Sequence, residues 1–493
     1  MAGSADKDVT NFGCSFTPQL IVNRAFVRIL ATAMSTPAAS SSAPAPADAR
    51  KFSLNLSGLQ QEMTPGDHVP GSARKPGSED FLTTARAHND EAITVRGAAK
   101  VRTVRLAEYG PKRLGAARVK AAWQPGGALL AIASEKDGAL LLQSFTRSGS
   151  TQHSHNLGPG RPTYCDFDHS GATVAVMQEG MGIYLWDQPY RGPDAPPDEG
   201  PPPAPLRLCP SITEATSFCA WSKSHQQLAI GTTTGKVIIF NKAEGVMQLH
   251  DKKGKHGAAV TCGDWLSDNR LGLASGNRVK VSQPLPEKGA QWESYSKFKL
   301  SGMLSRVPRK FKTAGAPKLL SFSLSYPPFV ALCIGDNYML VFGTSSAKAD
   351  EDVGLTFPED YGPISGFQWL EDNMMLVALA NGYVTTVDFG AMVRMRQTQG
   401  LPECVKATGT TKVFNEYLAC LSYTPATQRI GVVGDRGFKI LARKGHELEV
   451  LADVTLEYTL SVGNHIDSLR WDREGKGVVI TATDGWAWAF EIN

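Results

Sequence analysis

From Val119 onward the chain alternates short apolar runs with short polar turns, and the alternation itself repeats. Each unit opens with an apolar stretch ending in an aromatic, passes a polar turn, resumes with a second apolar run and breaks near Gly or Asp before a third. The aromatics are Trp123, Phe167, Trp221, Trp265, Tyr326, Trp369, Tyr423 and Trp471, at uneven spacings of about 43 to 61 residues. In the third unit the strands predicted are Ser217 to Trp221, Leu228 to Ile230 and Val237 to Phe240. In the sixth they are Ile364 to Trp369, Met375 to Leu379 and Tyr383 to Val387. In the eighth they are Ile466 to Trp471, Gly477 to Ile480 and Trp486 to Phe490. Asn381-Gly382 and Asp484-Gly485 fall between the second and third strands. Such dipeptides mark tight hairpins because both residues tolerate positive φ. The strands are apolar on both faces, which suits sheets covered on both sides rather than half-exposed ones.

A period in this range with several strands per unit predicts an all-β fold, a β-propeller in which each repeat is one four-stranded blade. Eight units admit one eight-bladed ring, or a seven-bladed ring followed by the first blade of another. A ring shut by strands from both ends of the chain leaves no unpaired edge. The run Trp486 to Phe490, close to the end of the sequence, reads as either a closing strand or a cut.

Composition divides the chain. Residues 1–100 read as a disordered, low-complexity leader: Met34 to Ala49 is rich in Ala, Ser and Pro, and Met63 to Asp90 is polar with Pro and Gly. Such segments cannot bury enough apolar surface to offset their ordering entropy. Residues 101–493 form the propeller, with a proline-rich insertion at 188–205 that loops out at the end of the second unit. Within the leader, Arg24 and Arg28 stand among apolar residues without an acid, a composition shared with organellar transit peptides; Asp6 and Asp8 count against that reading. Met34 is an alternative start. The net charge of +4 and the 20 % of charged residues call for no nucleic acid. No apolar run is long enough for a transmembrane helix. The eight cysteines are scattered without a CxxC pair, which argues against a zinc ribbon. Cys165, Cys219, Cys262, Cys333 and Cys420 fall within predicted strands and read as buried thiols of a reducing compartment.

No catalytic, cofactor-binding or metal-ligating residue is assigned. Gly231-Thr-Thr-Thr-Gly235-Lys236 has a phosphate-loop look, but it is one residue short, lacks the Ser or Thr that would bind magnesium, and leads into a strand rather than a helix. His153 and His155 are placed in a polar loop from Ser148 to Pro159, too few for a metal site. Asp166, Asp168, Asp264, Asp268 and Asp472 sit in or beside turns, where carboxylates chiefly accept backbone hydrogen bonds. Two basic clusters, Lys252, Lys253 and Lys255, and Arg306, Arg309, Lys310 and Lys312, offer weak contact with acidic partners or lipid head groups.

Specific residues accumulate in the second to fourth units. Ile183-Tyr-Leu-Trp-Asp187 ends in the Trp-Asp dipeptide of WD repeats. It is followed by Trp221-Ser-Lys223, Leu228-Ala-Ile-Gly-Thr232, Gly235-Lys236, Phe240-Asn241, Gly254-Lys-His256, Val260-Thr-Cys-Gly263, Trp265 and Val281-Ser282. This series resembles the amino-terminal propeller of the WD repeat-containing protein 19 family, and weaker matches extend from about Val101 past Trp471. The resemblance implies a non-enzymatic scaffold subunit of intraflagellar transport complex A, supporting retrograde transport in the cilium and ciliary protein import. It implies other complex A subunits and cargo adaptors as partners, no cofactor, and location at the cilium, basal body and a cytoplasmic pool, with an organelle as the alternative if the leader is a transit peptide. Family members are much longer, with a second propeller and a helical solenoid, so the chain reads as a fragment or truncated gene product. The competing readings are a general WD-repeat adaptor, for example one presenting substrates to a ubiquitin ligase, and a propeller enzyme working in the central channel.

Overall fold

The computed structural model describes Ile21–Val22 and residues 101–493 apart from short stretches, the longest of which are 188–205, 302–315, 345–352 and 390–406. Apart from Ile21–Val22, the expected leader, the proline-rich insertion and both basic clusters therefore lie outside the described residues.

Eight antiparallel sheets follow one another along the chain, each of four strands, with Ile21–Val22 adding a short fifth to one of them. The innermost strands of blades 1 to 8 are Lys120–Trp123, Pro162–Phe167, Thr216–Trp221, Val260–Trp265, Pro317–Phe322, Ile364–Trp369, Leu418–Thr424 and Ile466–Trp471. Each is followed by a second and third strand through tight turns. The second strands, such as Thr173–Gln178 and Met374–Leu379, are buried along their whole length. That is why they carry unbroken apolar runs: each is covered by a neighbouring blade on either side.

The ring closes with eight blades, not seven. In blade 8 the inner three strands come from the end of the sequence, and the outermost is Thr103–Tyr109, which pairs antiparallel with Ala487–Ile492. The backbones of Arg102 and Asn493 extend this pairing with reciprocal hydrogen bonds of 3.0 and 2.8 Å. Blade 1 then packs on blade 8: Tyr109, Leu114, Trp123, Val479 and Ala489 share one buried cluster. The run Trp486 to Phe490 is thus a closing strand, shifted by one so that Trp486 itself belongs to the turn.

Two further expectations are corrected. The anchor of the fifth blade is Phe322, buried at the end of its inner strand; Tyr326 lies outside the described residues. Strand pairing sets Phe322 opposite Val330, in the place the anchors hold in the other blades. The polar segment holding His153 and His155 is not a loop but a strand, Gly149–Asn156, paired with Ala139–Thr146. An outermost strand lies on the rim, so it can be polar and still keep its backbone ladder. The His155 ring packs edge-on against Trp186, with centroids 3.8 Å apart.

Hairpin chemistry is as read. Gly382 and Gly485 have φ of +90° and +86°. A Cβ on Gly485 would also collide with the carbonyl oxygen of Gly115, where the chain enters blade 1. The segment Gly231 to Lys236 is a hairpin turn, closed by Thr232 N–H donating to the Lys236 carbonyl at 2.9 Å, with Gly235 at φ +85°.

Candidate functional site

An inner strand has a partner on one edge only; its other edge faces the central channel. The residues ending these strands satisfy that edge and join the blades. The indole Nε1 of Trp221 donates to the Asp166 carbonyl at 3.2 Å, that of Trp265 to Ala220 at 3.0 Å, that of Trp369 to Ser321 at 3.4 Å and that of Trp471 to Ser422 at 3.0 Å. In each case the acceptor is the residue before the aromatic in the preceding blade. Where the aromatic lacks an N–H, a different side chain spans the junction. The Asp264 carboxylate accepts from Phe322 N–H at 3.1 Å, and Gln368 both accepts from Tyr423 N–H at 2.7 Å and donates to its carbonyl at 3.3 Å. Gln124 donates to the Gly171 carbonyl at 2.7 Å between blades 1 and 2. The aromatics are therefore inter-blade fasteners as well as core.

Period-two alternation along the inner strands leaves two layers of side chains toward the channel. One is the residue before the aromatic: Ala122, Asp166, Ala220, Asp264, Ser321, Gln368, Ser422 and Arg470. The other lies two residues earlier: Lys120, Tyr164, Phe218, Cys262, Leu319, Gly366, Cys420 and Ser468. Nearly all are half-exposed, whereas the aromatics and the residues two before them are mostly buried. A register shift recurs just before the second layer in blades 2 to 8, for example between Pro162 and Tyr164 and between Ile466 and Ser468. A bulge of this kind re-aims the next side chain.

Charge in this lining is concentrated where blade 8 meets blades 1 and 2. Arg470 of blade 8 reaches over the small Ala122 of blade 1 and donates to the Cys165 carbonyl at 3.2 Å and to Asp166 Oδ2 at 3.1 Å in blade 2. Both side chains keep about 40 % of their surface accessible although protein surrounds them, as befits groups in a channel. Burial raises the Asp166 carboxyl and the Arg470 guanidinium pulls it back. Arg118 Nε lies 2.9 Å from Asp467 Oδ2. Burial lowers Lys120 from its ordinary value; Asp467 opposes this, while Arg118, Arg470 and Arg161 add to it. The other carboxylates singled out in the sequence hold backbone, as expected. Asp168 accepts from Thr173 N–H at 3.0 Å, Asp268 from Arg270 N–H at 3.2 Å and Asp472 from Lys476 N–H at 2.8 Å. Asp264 additionally pairs with Lys223 at 2.8 Å.

The strand cysteines are free thiols. Burial pushes Cys165, Cys262 and Cys333 up to about 12 and Cys420 to about 11, so they are poor nucleophiles at neutral pH. Among the described residues no group of His, Cys, Asp and Glu has the arrangement of a metal site, and no helix is long and apolar enough to cross a membrane. The convergence of Arg118, Lys120, Arg161 and Arg470 was missed in the sequence. They come from three blades at the two ends of the propeller sequence, and only the closed ring brings them together.

Residues 119–485 match the family model described as the WDR19 first beta-propeller. The chain belongs to this family. WD repeat-containing protein 19 of Homo sapiens is 23 % identical over 374 residues, covering 75 % of this chain and 24 % of the relative. The Mus musculus protein of the same name is 22 % identical over 380 residues with the same coverage, and WD repeat-containing protein dyf-2 of Caenorhabditis elegans is 21 % identical over 351 residues, 68 % of this chain and 21 % of the relative. The chain thus spans about a quarter of the length of these WDR19-type relatives. Among solved structures, Sqt1 from Chaetomium thermophilum superposes with a TM-score of 0.58 at 12 % identity, covering 79 % of this chain and 99 % of that one. The C-terminal WD40 domain of Sif2 gives 0.55 at 13 % identity, with 80 % and 100 % covered. These two likenesses establish the WD-repeat propeller fold alone.

Proposed function

We propose that this WDR19-type propeller is a non-enzymatic scaffold module of intraflagellar transport complex A. In this reading it supports retrograde transport and protein import in the cilium by binding other complex A subunits and cargo adaptors. The observation that carries the reading is the family match from the first strand of blade 1 to the second strand of blade 8. The architecture supports it: the inner strands are spent on fastening blades to one another, and their side-chain carboxylates mostly hold backbone, which leaves faces and rim for partners. Residues 1–100 precede the platform as a leader, and the basic clusters at 252–255 and 306–312 add weak contact with acidic lipid head groups. The protein works at the cilium and basal body, with a cytoplasmic pool, and uses no cofactor.

The test is proximity labelling with the full chain tagged in a ciliated cell. The expected result is tag within cilia and labelled complex A subunits. A tag that never enters cilia contradicts the proposal. Labelling of ubiquitin-ligase subunits without ciliary proteins would favour a general WD-repeat adaptor instead.

A further inference from the structure

The seam of the ring holds more positive charge than its own acids can neutralise. Arg118, Lys120 and Arg470 stand at the channel at blades 8, 1 and 2 beside Asp166 and Asp467, and Arg161, just ahead of the inner strand of blade 2, adds its positive charge at Lys120. Both carboxylates already have a cation beside them. Asp467 takes Arg118 on Oδ2 and the Thr481 hydroxyl on Oδ1, at 2.9 and 2.8 Å. Asp166 takes Arg470 on Oδ2 and Phe167 N–H on Oδ1, at 3.1 and 3.0 Å. Arg470 makes its two bonds through one terminal nitrogen, leaving the other open among the described residues. Among the same residues the Lys120 ammonium and the Arg161 guanidinium have no hydrogen-bond or ion-pair partner. Lys120 is half-buried and Arg161 exposed; a half-buried cation without a partner is costly, and an incoming anion removes that cost.

The surroundings narrow the kind of anion. Lys120 is the single charged member of its layer; the others are Tyr164, Phe218, Cys262, Leu319, Gly366, Cys420 and Ser468. In an eight-membered ring blade 5 stands opposite blade 1, and Leu319 there is 36 % exposed at the position equivalent to Lys120. A ligand entering this layer meets cations on one wall and an apolar side chain on the other.

We propose that the channel mouth at blades 8, 1 and 2 binds an acidic peptide segment of a partner protein, its carboxylate seated among Lys120, Arg161 and Arg470 and an adjacent apolar side chain turned toward Leu319. The inference rests on the scaffold reading and gives it a ligand class. Charge-assisted hydrogen bonds to the guanidinium forks supply the specificity.

The experiment is fluorescence anisotropy on the full chain with a labelled peptide of alternating Glu and Leu, and with its Gln-for-Glu counterpart. The Glu peptide binds, and affinity falls by about tenfold or more with the Gln peptide, with Lys120→Met and with Arg161→Ala. Lys120→Met removes a disfavoured charge, so its thermal midpoint, measured on the same samples, stays at or above that of the parent. Lys476→Ala, in a turn at the other end of the inner strand of blade 8, leaves binding unchanged. The inference is overturned if the Glu peptide does not bind, if the Gln peptide binds equally well, or if Lys120→Met keeps full affinity. Labelling of complex A subunits in cells together with any of those results would leave the scaffold reading standing and remove this one.

Discussion

The junctions on the two sides of blade 8 are built from the same sequence feature and held differently. Between blades 7 and 8 the strand ends in Trp471, whose indole donates to the Ser422 carbonyl at 3.0 Å, and the Tyr417 hydroxyl donates to the Ile466 carbonyl at 3.0 Å. Between blades 8 and 1 the strand ends in Trp123, also a tryptophan and more deeply buried than Trp471, yet among the described residues its Nε1 has no partner. The Arg118–Asp467 ion pair spans this junction instead, and the outermost strand Thr103–Tyr109 ties the chain ends together at the rim. A tryptophan in the repeat guarantees packing; it fastens blades only where the neighbouring carbonyl lines up. The seam relies on strand pairing, which is where a break should be felt most.

Removing residues 1–110 deletes the outer strand of blade 8 together with buried Val101 and Tyr109. The expected loss is on the order of 5 kcal/mol or more, read as a collapse of the urea midpoint. Phe490, fully buried in the closing strand with its ring centroid 4.8 Å from Phe438, comes next. Phe490→Ala should cost about 3–5 kcal/mol in the same assay. The comparison is sharpest in the tryptophans. Trp471→Phe leaves the Ser422 carbonyl without its donor and should cost about 1 kcal/mol beyond its packing loss, whereas Trp123→Phe, at a more buried site, loses packing only. A Trp471→Phe cost no larger than the packing loss at that half-exposed site would show that the indole bond contributes nothing.

The smallest effect concerns the thiols. Cys165, Cys262 and Cys333 are raised by burial from 9.0 to about 12. Between those values the unfolded chain releases protons that the folded one retains, so stability falls as pH rises from 9 toward 12 and is unaffected below 9. Urea titrations of the parent and Cys165→Ala at pH 8 and pH 10.5 should show a shallower loss in the variant.

What the sequence showed was what repeats. The apolar runs ending in Trp221, Trp265, Trp369 and Trp471, and the turns at Asn381-Gly382 and Asp484-Gly485, located strands to within a residue or two, because burial on both faces and positive φ leave strong marks. What it hid depends on the ring. The outer strand Gly149–Asn156 is polar because the rim permits it, so it looked like a loop. Phe322 lost its place to Tyr326 because only pairing, not spacing, identifies the end of an inner strand. The closing partner of Ala487–Ile492 is Thr103–Tyr109, nearly the whole propeller away in sequence. The cationic seam is likewise assembled from Arg118, Lys120, Arg161 and Arg470, none remarkable in its own segment.

The central structural claim is that both ends of the propeller meet in one blade. Native-state hydrogen exchange of the full chain, followed peptide by peptide, tests it most directly. The closed ring predicts that amides of Thr103–Tyr109 bonded to Ala487–Ile492 are protected over hours, comparably to the inner strand of blade 4. Exchange of Thr103–Tyr109 within seconds, while Val260–Trp265 stays protected, would contradict it.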